Sequence, residues 1–118
     1  MSSESGNPSE PIRVRVGARG RNFAYVDFTK HRLHEGGPEI IISGLGRAIS
    51  DAVAVAEILK NQGLVVVKAI TTSRGSIKPL APLIDKIEIV VVKSKDFDSI
   101  YEEQQKRKSE NAEKRESN

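Results

Sequence analysis

The sequence predicts an α/β (α+β) two-layer sandwich of order β-α-β-α-β-β, a four-stranded mixed sheet with two helices on one face. Three observations predict it. Ile12, Val14 and Val16 alternate with Arg13 and Arg15, as in a half-buried strand with a basic outer face. A segment from Ala48 to Asn61 is apolar around most of a helical circumference, and two β-branched runs, Leu64 to Thr72 and Leu83 to Lys93, close the body.

Each element follows in order. Gly17-Ala-Arg-Gly20 breaks the first strand, and from Asn22, a predicted N-cap, Tyr25, Phe28, Thr29 and Arg32 recur at helical spacing while Asp27, Lys30, His31 and His34 face away. Gly36-Gly37-Pro38 stops that helix after about three turns. Glu39 to Ser43, with three consecutive isoleucines, reads as a buried central strand, and Gly44-Leu45-Gly46 as a tight turn. The second helix puts Ser50, Asp51, Ala54, Glu57 and Asn61 on a narrow face and Ala48, Ile49, Ala52, Val53, Val55, Ala56, Ile58 and Leu59 on a wide apolar one. Gly63 is placed for a left-handed cap. Ser73 to Pro82 joins the two β-branched runs as a long-armed antiparallel hairpin.

The chain has 118 residues, enough for one domain: residues 1–10 as a disordered lead, 11–93 as the folded body, and 94–118 as a charged tail. In that tail a short helix packs Phe97, Ile100 and Tyr101 on the body, and the rest is solvated helix or coil. Composition predicts that residues 103–118 are dispensable for stability. The formal net charge of +3 conceals where the charge lies. Between Pro11 and Lys93 there are thirteen Lys and Arg against seven Asp and Glu, so the folded body holds the excess. Such a body favours an acidic polymer over a neutral metabolite.

Zero cysteines exclude disulfides, thiolate metal sites and thiol nucleophiles. No run approaches the roughly 20 apolar residues that span a bilayer, and the first eleven residues carry no basic or apolar leader. The expectation is a soluble, unsecreted protein of the nucleus and/or cytoplasm, with no membrane partner.

Two glycine-rich junctions carry the candidate chemistry. Gly44-Leu45-Gly46-Arg47-Ala48-Ile49 joins a strand to a helix, a context that can present N–H groups to phosphate. Ile49 occupies the third glycine position of a dinucleotide loop, and no Gly-Lys-Ser/Thr follows, so neither nucleotide motif is met. What remains is Arg47 in a first helical turn, either as a surface arginine on a tight turn or as a ligand to a backbone phosphate. Gly17-Ala-Arg-Gly20 has the letters of a KH-domain loop but follows a strand instead of joining two helices. It places Arg19 and Arg21 at the other junction. His31 and His34 read as a surface pair lacking the further ligands a metal needs, and the carboxylates Asp27, Asp51, Glu57, Asp85 and Glu88 lie scattered on exposed faces. No catalytic residue, cofactor or metal is expected. Phe23, Tyr25 and Phe28 lie in one helix, where their spacing favours core over a base-stacking platform.

Gly46-Arg47-Ala48-Ile49-Ser50, continuing through Ala52 to Leu59, closely resembles the signature second helix of the Alba family of nucleic-acid-binding proteins. The likeness covers about residues 11–93, with a basic stretch after the first strand, an aromatic early in the first helix and a long-armed hairpin. It implies a fold similar to the C-terminal domain of translation initiation factor three. It also implies a non-enzymatic protein that grips double-stranded DNA and/or RNA through the backbone as a dimer, in chromatin architecture or mRNA regulation. By this resemblance Arg19 and Arg21 stand for the family's paired lysines, Arg47 for its signature arginine, and Arg74 and Lys78 for its arm. The partner chain is a second copy or another Alba-like chain, and the interface lies at the second helix and hairpin strands. A different role is a protein-interaction subunit of a ribonucleoprotein such as a ribonuclease P-type complex. Arginine in place of the paired lysines removes control by lysine acetylation there. Leu45 stands where an arginine often precedes the signature glycine, and the long tail fits a eukaryotic-type member.

Overall fold

The computed structural model describes residues 11–17, 21–76 and 78–117, with side chains through residue 112. The proposed lead, residues 1–10, lies outside them. The elements are β1 (Ile12–Arg15), α1 (Asn22–His34), β2 (Ile40–Leu45), a 3-10 turn (Gly46–Ala48), α2 (Ile49–Asn61), β3 (Val65–Gly75), β4 (Ile84–Lys93) and α3 (Phe97–Ser117). The sheet order is β1-β2-β4-β3, with β1 parallel to β2 and the other pairs antiparallel. The predicted mixed four-stranded sheet is therefore present, with a third helix added.

Register places the core on one face. Val14 lies opposite Ile42, and Ile42 opposite Ile89, while Ile40 pairs with Val91; all are buried. α2 lays Ala52, Val55, Ala56 and Leu59 over that face, and Val26 and Leu33 of α1 join the cluster. Burial of this β-branched and leucine surface is the main force that closes the two layers. Gly63, at φ 79°, ends α2 with the Gly63 and Leu64 N–H groups donating to Lys60 and Leu59 carbonyls. A register shift between Val67 and Ala69 bulges β3, after which Ile70 lies opposite Ile89 on the helix side yet stays 61% exposed.

Several sequence expectations are corrected. Gly44 and Leu45 belong to β2 instead of a turn. The strand can run that far because a Cβ on Gly44 would stand 2.5 Å from the Ala48 carbonyl oxygen and 3.0 Å from Ala52 Cβ; only glycine lets the 3-10 turn fold back so closely. Arg21, not Asn22, occupies the N-cap of α1, and no side-chain hydrogen bond caps it. The inward face of α1 is Val26, Thr29, Lys30 and Leu33; Phe23 and Phe28 are exposed, and Tyr25 is half-buried with its hydroxyl accepting the Gly17 N–H at 3.1 Å. The buried stripe lies about one position on from the expected Tyr25, Phe28, Thr29 and Arg32, because the two aromatics Tyr25 and Phe28 pull a reading of the pattern toward themselves. The histidines are not a simple surface pair. His31 Nδ1 lies 2.6 Å from the Tyr101 hydroxyl, and His34 stacks on the Tyr101 ring at 4.1 Å.

Those contacts anchor α3. Phe97 and Tyr101 are buried as expected, and Ile100 packs on the core, while buried Lys30 donates to Gln104 at 2.9 Å and sits 3.5 Å from Asp27. The helix then continues to Ser117, past its last core contacts. Its start lies where β3 begins, with the Ser94 N–H donating to the Leu64 carbonyl and Ser94 Oγ to that of Gly63.

Candidate nucleic-acid interface

Because β1 and β2 run in parallel, the segments that leave their C-terminal ends emerge at one end of the sheet. Antiparallel β4 begins there too, with Lys86 opposite Leu45, and β3 ends there, with Gly75 opposite Ile84. One end of the molecule thus collects the exposed residues Arg21 before α1, Arg47 on the 3-10 turn and Arg74 on β3, with Lys78 farther out on the arm. Arg19 lies outside the described residues. The far end of the sheet carries α3.

Topology adds two cations that the sequence reading did not single out as site residues. Arg15 and Lys86 sit on the helix-free face, where they share a cleft with Leu45, Ser73, Arg74 and Ile84. Arg15 was legible as part of a basic strand face. Only the β2–β4 register brings Lys86 beside it. Arg74 also borders a hollow with Ile49 and Asp85, so it joins the cleft to the start of α2.

The cations differ in what neutralises them. Arg74 Nε donates to Asp85 Oδ1 at 2.7 Å. That hydrogen bond, reinforced by the charge attraction, lowers the Asp85 carboxyl below its usual range and raises the Arg74 guanidinium. Glu88 accepts from Arg13 and lies 3.4 Å from Lys86; the Arg13 hydrogen bond is the main cause of its lowered pKa. Among the described residues no carboxylate lies within ion-pair distance of Arg15, Arg21, Arg47 or Lys78. Unpaired guanidiniums in fork geometry suit phosphate oxygens.

The arm ends in a turn in which the Ala81 N–H donates to the Lys78 carbonyl, with Leu80 fully exposed at φ 68°. Apart from the arm, exposed apolar side chains include Val53 on α2, at 39%, and Ile70 on β3, on the side of the sheet that carries the helices. Among the described residues no group of three His, Asp or Glu is placed to hold a metal ion, and no helix is long and apolar enough to cross a membrane.

Comparison with known proteins bears on the fold and the family. ALBA1 of Trypanosoma brucei superposes with a TM-score of 0.78 at 53% identity, covering 89% of this chain and 90% of that one. Alba of Thermoplasma volcanium shares the fold, with a TM-score of 0.60 at 24% identity over 71% of this chain and 100% of that one. An uncharacterized protein of Arabidopsis thaliana is 43% identical over 82 residues, which are 66% of this chain and 62% of the relative's length. The Alba family model matches residues 12–74, from the first strand to the arginine of the arm, and so takes in the signature helix and both glycine-rich junctions. The chain belongs to the Alba family, membership of which implies nucleic-acid binding.

Proposed function

We propose that the protein grips the sugar-phosphate backbone of double-stranded DNA and/or RNA without reading sequence, as a dimer, in chromatin architecture or mRNA regulation in the nucleus and/or cytoplasm. The observation that carries this reading is the gathering of Arg15, Arg21, Arg47 and Lys78 at one end of the sheet with no carboxylate in ion-pair distance among the described residues. Cations left unpaired keep their full attraction for phosphate, and phosphate contacts position a protein without specifying bases. Arg19, by family resemblance, adds a further contact at the first junction.

Dimerisation draws on Val53 and Ile70. Both are large, apolar and exposed beside the core face, an arrangement that a partner's matching surface would cover. The same residues would serve a heterodimer inside a ribonucleoprotein, and light scattering of the purified chain separates the two: a stable dimer supports the first reading, a persistent monomer the second. Binding itself is tested by the salt dependence of affinity. Arg47→Ala should weaken binding to unrelated sequences alike and lower the slope of log K against log salt by about 0.9 per engaged protomer on duplex DNA. Unchanged affinity and slope would remove Arg47 from the interface.

A further inference from the structure

α1 presents to solvent a stripe that neither the core nor α3 uses. Flanking its buried face on the solvent side stand Phe28 and Arg32, with Arg21 at the N-cap, the three spaced by seven and four residues in chain order. At 3.6 residues per turn these fall within about 40° of one another, with rises of about 10 Å and 6 Å between them. Phe28 is 49% exposed, and the Arg32 guanidinium carbon lies 5.9 Å from the centre of its ring. Arg32 also reaches Glu35 at 3.7 Å, an exposed pair that water screens, while Asp27 is turned to Lys30. The stripe is therefore a half-exposed ring with one guanidinium over one side of it and a second cation toward the N-cap. It begins at Arg21, so it runs directly out of the basic end of the sheet.

We propose that Phe28 stacks an unpaired base of a single-stranded nucleic acid whose flanking phosphates meet Arg21 and Arg32. An aromatic ring accepts any base by its π-face, and arginines placed a nucleotide or two away hold the backbone. Duplex bases are already stacked on their neighbours and offer no free face to such a ring. A protein partner fits the stripe poorly: one ring and two guanidiniums fall far short of the roughly 800 Å² per side of a standard interface. The apolar exposure suited to a second chain, Val53 and Ile70, lies on other elements, and Phe23, also exposed, lies about 140° around α1 from Phe28.

This inference rests on the nucleic-acid reading above, and its test keeps the two apart. Anisotropy titrations would compare a 20-nucleotide single-stranded RNA, the single-stranded DNA of the same sequence and the corresponding DNA duplex against wild type, Phe28→Ala and Phe28→Trp, with light scattering of each protein. Phe28→Ala should weaken both single strands about tenfold, within the range alanine substitution gives for base stacking, and change duplex affinity less than twofold. Phe28→Trp should restore the single-strand affinity. Equal losses on RNA and DNA leave stacking as the whole contact; a larger loss on RNA adds a contact to the 2′-hydroxyl, and either pattern supports the proposal. Unchanged single-strand affinity, an equal loss on duplex, or a fall in molecular mass for Phe28→Ala would each overturn it, the last in favour of a protein interface. Wild type that binds none of the three nucleic acids would overturn the broader reading as well.

Discussion

Arg47 and Arg74 stand at the same end of the sheet, both exposed, and differ in what holds them. Arg47 rides a short turn pinned to the core, with no carboxylate in reach among the described residues; Arg74 lies on the hairpin arm, already bonded to Asp85. On the proposed reading, a phosphate would gain the whole charge of the first. To reach the second it must displace a carboxylate at 2.7 Å, so the two arginines have equal charge and unequal availability. Charge counted from sequence therefore overstates the arm.

The largest expected effect breaks the turn beneath Arg47. Gly44→Ala drives a Cβ into the Ala48 carbonyl, a backbone group that cannot step aside as a side chain would. Overpacking of this kind should cost about 3 kcal/mol, read as a lowered midpoint in urea. Nucleic-acid affinity should fall with it, since Arg47 loses its position. Wild-type stability in Gly44→Ala would mean that the turn is not held against β2.

Next in size is the contrast between the arginines themselves. Arg47→Ala should reduce duplex affinity about fivefold at 0.1 M salt, the upper end for an exposed charge pair, and Arg74→Ala less than twofold. Folding should be unaffected by Arg47→Ala, because a cation in the first turns of a helix opposes its dipole and alanine is the better helix former. Equal losses would erase the distinction drawn from Asp85.

Releasing the arm sharpens it from the other side. Asp85→Asn frees the guanidinium while keeping a similar side-chain shape, so affinity should rise about twofold and the salt slope steepen, with the increase abolished when Arg74→Ala is added. Acid acts on the same pair. The Asp85 and Glu88 carboxyls are held below their ordinary range by Arg74 and Arg13, so their contribution to stability is complete above the unfolded carboxylate pKa near 4 and is lost as pH falls through the lower folded values. Urea midpoints should therefore not decline on their account between pH 7 and pH 5, and should decline below pH 4. A loss between pH 7 and 5 in wild type that is absent from Asp85→Asn would contradict this assignment.

The contrast also marks what was readable in the sequence. Alternation in β1, the isoleucine run of β2, the apolar circumference of α2 and the Gly63 cap are local patterns, and each reappears in place. The α1 stripe is not legible in the local pattern because Lys30 is buried and Phe28 exposed, against the usual preferences of both, for reasons lodged in distant residues such as Gln104. Arg47 and Arg74 were legible as cations beside glycines. The pairing of Arg74 with Asp85, and the meeting of Arg15 with Lys86, depend on strand register, which no window of sequence contains.

The smallest expected effect, that of removing residues 106–118, is set against a larger one at the far end of the sheet, where α3 is anchored. Composition alone places the dispensable segment at 103–118, but Gln104 accepts from the buried Lys30 ammonium and its amide lies 3.3 Å from the Gln62 side chain. A chain ending at Glu102 leaves Lys30 with only Asp27, at 3.5 Å, and leaving a buried donor short of a partner costs about 1–3 kcal/mol. A chain ending at Gln105 keeps that bond. Beyond it the residues with described side chains are exposed, and the Glu103–Arg107 pair is a solvated i,i+4 contact of little worth. Deleting 106–118 should therefore shift the thermal midpoint by about 1 °C or less, whereas deleting 103–118 should lower it by several degrees. Neither deletion should flatten the salt slope, because α3 sits opposite the cations; a flattened slope in the shorter deletion would place part of the nucleic-acid contact on the tail and dissolve the division between a gripping end and an anchoring end.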